Sequence, residues 1–399
     1  MYLFKRIKEL PCNKPIDDII TFEEVNSPNQ TFDYAIEVYN GWLVATKEHM
    51  YICPPNTGDI LKQDGCLMFY ANDEVKNLYR NNDYGWFSYF PMSLEIDITS
   101  MCNFECTHCN RSASPENNVS IDLATIERLA IEAEQIGLRR IQILGGEPMC
   151  HPDFEDICKI FHQHGATKMF TSTNGWLVND KTINILSQCF EEVQVSLHSV
   201  HPNIHDSITQ RNGSWERAIN AIKLLIGKGV NVIISMTVMP NNIHEMKSMA
   251  DIAEKLGANA IRYLALQKVG RGQTIDELKA TDIRFAASII SCISNEHPML
   301  RVLSMGFPVQ NKCELSGSFW GCSAGRTLLN IKANGNVTCC SIVGKSVGSI
   351  HNNSIMDIWH CNEFRNLRQI HNKSCLISKF CGGHCKSLQE DPYSSSCKL

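Results

Sequence analysis

From Ser93 onward the chain alternates short apolar runs with longer amphipathic stretches, and this alternation limits the possible folds more than any other feature. The runs SLEIDIT (93–99), RIQIL (140–144), KMFTST (168–173), EVQVSL (192–197), NVIISMTVM (231–239) and AIRYLAL (260–266) read as strands. Between the first two, IDLATIERLAIEAEQIG places Leu123, Ile126, Leu129 and Ala130 on one helical face. Further helices are expected near 152–163, 179–188, 214–228 and 243–256. Crossovers of this length join parallel strands, so the six units form an α/β doubly wound sheet or a (β/α) barrel. In a barrel, chemistry gathers in the loops at the C-terminal ends of the strands.

Two such loops carry reactive residues. CNFECTHC, directly after the first strand, holds Cys102, Cys106 and Cys109. Three thiolates that close call for metal. One reading is a zinc site with a distant fourth ligand, His108 being at hand. Another is a cubane [4Fe–4S] cluster with one iron left open for a substrate or cofactor. LGGEP (Leu144–Pro148) follows the second strand. There Gly145 and Gly146 allow close approach to the backbone. Their bared carbonyls and Glu147 can accept hydrogen bonds from an ammonium group.

Composition narrows the partners. A chain of 399 residues, 43% hydrophobic and 20% charged, is long enough for two or three domains with ample core. A formal charge of −5 without a basic stripe argues against nucleic acid. MYLFKRIKEL lacks the apolar core of a signal peptide and no apolar run approaches membrane-spanning length, so a cytoplasmic location is expected. Nineteen cysteines in such a chain point to metal or redox chemistry rather than disulfides. Nine of them crowd between Cys313 and Cys397. Cys12, Cys53, Cys66, Cys150, Cys158, Cys189 and Cys292 are scattered as small apolar residues.

Three domains are expected, at 1–92, 93–304 and 305–399. In the first, FDYAIEVY and WLVATKEHMYI flank Asn40-Gly41 as a β-hairpin; Cys66–Tyr70 adds a strand and Asp73–Arg80 a short helix. In the last, periodicity fades into a Gly-, Ser- and Cys-rich segment that metal ligation would stabilise. His198, His201 and His205 cluster after the fourth strand and read as loop polarity near the substrate end.

The constellation of CxxxCxxC, GGEP, TNG (Thr173–Gly175) and VSLH (Val195–His198) after successive strands resembles the radical S-adenosylmethionine (SAM) superfamily, over about 93–300. The resemblance implies a partial (β/α)6 barrel whose [4Fe–4S] cluster is held by Cys102, Cys106 and Cys109, with SAM chelating the open iron. It implies that His108 lies near the adenine and that Gly145, Gly146 and Glu147 contact the SAM amino group. Thr173, Asn174, Ser196, Arg211 and Ser235 become candidates for the rest of SAM. NGNVTCC and FCGGHC resemble the SPASM extension, which holds one or two auxiliary [4Fe–4S] clusters. Cys313, Cys322, Cys340 and Cys385 would serve one, and Cys375, Cys381 and Cys397 the other. This chain departs from the pattern at Asn372, where the family has a cysteine. Either the second cluster keeps an open iron, or Cys361 or Cys339 substitutes, or that cluster is absent.

The resemblance implies an enzyme that cleaves SAM reductively to a 5′-deoxyadenosyl radical and modifies a ribosomally made precursor peptide by crosslinking or epimerisation. It also implies an external electron donor of flavodoxin or ferredoxin type. Residues 1–92 would be a winged-helix-like domain that grips a leader peptide, or a cap that stabilises the barrel. Alternative targets are a sulfatase-type protein or a tetrapyrrole side chain. A non-catalytic iron–sulfur electron carrier and a zinc-binding module are the rival classes.

Overall fold

A computed structural model of the chain describes residues 2–7, 20–25, 34–38, 41–45, 50–53, 58–63, 65–71, 73, 76–77, 87–307, 323–342 and 344–368. Two compact units emerge: 1–92 with 313–329 and 356–399, and 93–312 with 330–355.

In the first unit β1 (Tyr2–Ile7) and β2 (Ile20–Val25) form an antiparallel pair. β3 (Tyr34–Val38), β4 (Gly41–Ala45), β5 (Met50–Cys53) and β6 (Leu67–Phe69) form a sheet in the order β5-β4-β3-β6, with α1 at Gly58–Gln63. The hairpin expected around Asn40-Gly41 closes one residue earlier, because Val38 pairs with Gly41 and Gly41 is already strand. The stretch expected as its second strand divides into β4 and β5. Burial sets this register: it places Ala35, Trp42, Val44, Cys53, Leu61 and Cys66 in one core.

The second unit is built on seven parallel strands: β7 (Ser93–Thr99), β8 (Arg140–Gly145), β9 (Lys168–Thr173), β10 (Glu192–Ser196), β11 (Asn231–Val238), β12 (Ala260–Ala265) and β13 (Arg301–Met305). Their order in the sheet is their order in the chain, and the second half of β14 (Leu328–Ile331), with β15 (Asn336–Thr338) and β16 (Gly348–Ser349), extends it beyond β7. The crossovers are α2 (Leu123–Gln135), α3 (Phe154–Gln163), α4 (Thr182–Cys189), α5 (Pro202–Thr209) with α6 (Ser214–Gly227), α7 (Met246–Leu256) and α8 (Ala280–Glu296). The Asp122 side chain caps α2 by accepting from Thr125 N at 2.9 Å, and Gly257, at φ 83°, ends α7 in the left-handed conformation.

The two faces of the sheet differ. Ile141, Ile143, Met169, Val193 and Val195 are buried, while their neighbours Gln142, Leu144, Phe170, Ser172, Gln194 and Ser196 are only half-buried. The Tyr263 hydroxyl donates to Met246 O at 2.6 Å, so Tyr263 faces α7, and Arg262 and Leu264 face the other way. Alternation thus separates a helix-covered face from a concave, more polar one.

The first unit also contains most of α9 (Ile355–Trp359) and all of α10 (Asn362–Arg368). Arg368 is fully buried, with its guanidinium 4.3 Å from the Phe87 ring centre and 4.4 Å from that of Trp359. It donates to Gly325 O at 2.6 Å and to Trp359 O at 2.7 Å.

Candidate functional site

The loop after β7 gathers Cys102, Cys106 and Cys109 into one apolar cup with Phe104, Ala113 and Trp176. All three thiols are free. Burial and the nearby Glu147 push the Cys102 thiol well up, and Phe104 N, donating to its sulfur at 3.4 Å, works the other way. Burial and Cys109 push Cys106 up to about 12, against the Arg271 charge. Burial thus favours the neutral thiol at Cys102 and Cys106, and metal loading must displace their protons.

Gly145 and Gly146 act on this loop directly. A Cβ on Gly145, at φ 151°, would stand 2.5 Å from Thr99 O, and one on Gly146 would run into Met101 O. Gly146 N donates to Thr99 O and Glu147 N to Met101 O, both at 2.8 Å. Their missing side chains make room for the entry to the cysteine loop. Glu147 is 1% exposed, and its two oxygens accept from Thr173 Oγ1 and from Asn174 N, each at 2.8 Å. Burial raises its carboxyl to about 7 despite these donors. Asn174 Nδ2 donates onward to Asn103 Oδ1 at 2.7 Å. One carboxylate and two asparagines thus join the ends of β7, β8 and β9.

The remaining candidates fall into three groups. The Arg211 guanidinium lies 4.7 Å from the Trp176 ring centre, and Trp176 meets Phe104 edge-on at 5.6 Å. Ser196 and Ser235 are register partners on β10 and β11, and Ser235 is buried. His108 packs edge-on against His198 at 4.4 Å, and burial lowers its imidazole to about 4. His198 and His205 are buried, contrary to their reading as loop polarity, whereas His201 is exposed. His205 Nδ1 accepts from His198 N, and His198 Nδ1 accepts from Thr237 N. Both rings are thereby held with the proton on Nε2. Among the described residues, His108 Nδ1 and Asn103 Nδ2 are buried without a hydrogen-bond partner, which leaves polar capacity beside the thiols for a bound group.

Sequence reasoning missed Arg271. Its Nε donates to Cys106 O at 2.8 Å, an Nη donates to Ala113 O at 2.7 Å, and its backbone N donates to Cys109 O at 3.0 Å. The adjacent Gly270, at φ 60°, lies so close that a Cβ would stand 2.5 Å from Cys109 O. The signal was present as Gly-Arg-Gly in the loop after the last predicted strand. Asp97 and Arg111 were missed as well. Arg111 Nε donates to Asp97 Oδ1 at 3.0 Å, and Lys332 stands 3.6 Å from Asp97 Oδ2. Lys332 Nζ also donates to Ser341 O at 2.7 Å, beside Cys340. Polar contacts therefore lead from the Cys109 loop across β7 to the loop of Cys340. Cys339 is buried, and Cys340 and Cys361 are half-buried. Cys313, Cys322, Cys375, Cys381, Cys385 and Cys397, with Asn372, lie outside the described residues.

No helix among the described residues is long and apolar enough to cross a membrane. The radical SAM superfamily profile matches residues 96–253, and the SPASM profile, an iron–sulfur cluster-binding domain, matches 322–386. The chain is 27% identical over 330 residues to the antilisterial bacteriocin subtilosin biosynthesis protein AlbA of Bacillus subtilis, covering 76% of this chain and 70% of that protein. It is 25% identical over 340 residues to the AdoMet-dependent heme synthase of Methanosarcina barkeri, covering 76% and 96%. In fold it is similar to Streptococcus suis SuiB bound to S-adenosylmethionine, with TM-score 0.72 at 18% identity over 94% of this chain and 99% of that one. The same protein bound to precursor peptide SuiA gives 0.71 at 16% identity, over 92% and 100%. With the parallel sheet and these matches together, the chain belongs to the radical SAM superfamily and is a radical SAM enzyme with a C-terminal SPASM domain.

Proposed function

We propose that this enzyme modifies a ribosomally made peptide, with Cys102, Cys106 and Cys109 holding its SAM-binding [4Fe–4S] cluster. The gathering of three free thiols in one cup supports this most directly. Three thiols at CxxxCxxC spacing, beside the GGEP loop at the same end of the sheet, suit a cluster with one open iron better than a four-ligand zinc site. Bound together, the cluster and SAM supply a 5′-deoxyadenosyl radical able to take hydrogen from an unactivated carbon.

The chain's own residues would prepare that event. Arg271 holds the carbonyls of Cys106 and Ala113, so the thiols are positioned before loading. Glu147, Thr173 and Asn174 fix three strand ends in one arrangement where the ammonium and ribose of SAM would bind. Phe104 and Trp176, with the half-buried His108 packed on the buried His198, would limit water at the cup and so favour radical chemistry over side reactions. Cys340, tethered through Lys332 and Asp97, would help hold an auxiliary cluster with the cysteines of the C-terminal segment. Residues 1–92 would receive a leader peptide, and a flavodoxin- or ferredoxin-type protein would supply electrons.

A peptide target is favoured by AlbA, a bacteriocin biosynthesis protein, and by a fold shared with SuiB, which binds a precursor peptide. The heme synthase similarity supports a second reading, a tetrapyrrole target. Incubating the reduced, reconstituted enzyme with SAM and with a peptide encoded beside its gene tests the choice. A peptide mass change that requires SAM is expected. Modification of a porphyrin and not of the peptide would replace the first reading with the second.

A further inference from the structure

Three arginines, Arg140, Arg262 and Arg301, lie on the concave face of the parallel sheet. Arg262 is in register with Ser235 on one side and Leu303 on the other. Arg140 is in register with Ser93 and Lys168, and Arg301 with Ala260. Arg301 has a counter-ion, since it donates to Glu192. Arg262 has none: among the described residues no carboxylate lies within ion-pair distance. Its Nη1 donates to Gln194 Oε1 at 2.7 Å. Gln194 Nε2 in turn donates to Ser172 Oγ at 3.1 Å. Arg262 is thus half-buried and braced across β12, β10 and β9, with the bond to Gln194 on one arm of its guanidinium. Arg140 also lacks a described carboxylate partner and lies 5.1 Å from the Phe170 ring centre.

This arrangement is costly unless something completes it. Loss of water weakens the hold of Arg262 on its proton; Glu192 and Glu95 act in the opposite sense, and Arg301 and Arg140 add repulsion. A guanidinium removed from water without a counter-ion is unfavourable, and its planar fork matches a carboxylate through two parallel hydrogen bonds.

We propose that Arg262, braced by Gln194 and Ser172, is a specificity residue that takes a carboxylate of the substrate on the concave face. In the peptide reading, on which this deepening rests, the carboxylate belongs to an Asp or Glu side chain near the modified residue. The Phe170 ring under Arg140 offers an apolar floor beside it.

The test uses the reconstituted full chain and two probes differing in one group, acetyl-Gly-Glu-Gly amide and acetyl-Gly-Gln-Gly amide, with affinity read by ligand-observed NMR. The glutamyl probe is expected to bind about tenfold more tightly, which is about 1.4 kcal/mol. Arg262→Gln should erase that preference and Arg262→Lys should keep part of it. Gln194→Leu, which removes only the brace, should reduce it and serves if Arg262→Gln does not fold. Equal binding of the two probes, or a preference that survives in these variants, overturns the proposal. A third arm uses coproporphyrin, whose carboxylates are carried on a tetrapyrrole. If coproporphyrin binds through Arg262 and the glutamyl peptide does not, the carboxylate anchor stands and the peptide reading falls.

Discussion

At the scale of single residues, Glu147 shows how a buried group can serve geometry at an electrostatic cost. Its carboxyl keeps its proton to about pH 7 in the folded chain, against 4.5 for the ordinary group. Between those values the folded state binds more protons than the unfolded one. Stability of the cofactor-free chain should therefore fall as pH rises from about 4.5 to about 7 and level off above. The span corresponds to about 3 kcal/mol. Urea unfolding across this range should show a flatter profile for Glu147→Gln, and parallel profiles would contradict the assignment. Arg271 makes a second residue-scale case. Arg271→Ala strands the carbonyls of Cys106 and Ala113, and should cost about 2–3 kcal/mol in thermal unfolding. It should also lower iron retained per chain after reconstitution, with partial rescue by Lys. Iron content equal to that of the unaltered chain would show that the clasp is only local.

Among elements, legibility followed burial. β7 to β12 were readable because each places regular apolar residues beneath helices, and the observed bounds differ from the predicted ones by a residue at most. β13 was not, since RVLSM lies at the sheet edge largely exposed and carries no buried run. α5 was hidden because PNIHDSIT has little apolar periodicity, although its Pro202 at the first turn is a start signal. The cysteine loop and LGGEP were visible as motifs, but the purpose of the glycines was not. Their contacts are with Thr99 and Met101, a long-range closeness that no local pattern encodes. Gly146→Ala tests that reading at the scale where it operates. The methyl group has no space against Met101 O, so the loop must shift, at about 3 kcal/mol or more. Circular dichroism melting should register the loss together with reduced cluster loading. A variant as stable and as well loaded as the parent would show that the two loops are not packed as described.

For the whole molecule, the radical site and the auxiliary site are expected to be separable in function though joined in structure. Lys332, Asp97 and Arg111 link the Cys340 loop to the Cys109 loop within one compact unit. Cys340→Ala should therefore leave 5′-deoxyadenosine formation partly intact while stopping product formation. Normal product yield would remove Cys340 from an auxiliary cluster. The distribution of metal follows the same logic: about four, eight or twelve irons per chain correspond to one, two or three cubane clusters. The central claim is that Cys102, Cys106 and Cys109 hold the cluster that activates SAM. Its most direct measurement is 5′-deoxyadenosine released from SAM by the reduced, reconstituted chain, compared with Cys106→Ala. The parent should form it, and the variant should form none and lose about four irons per chain. Equal 5′-deoxyadenosine from both proteins would contradict the account.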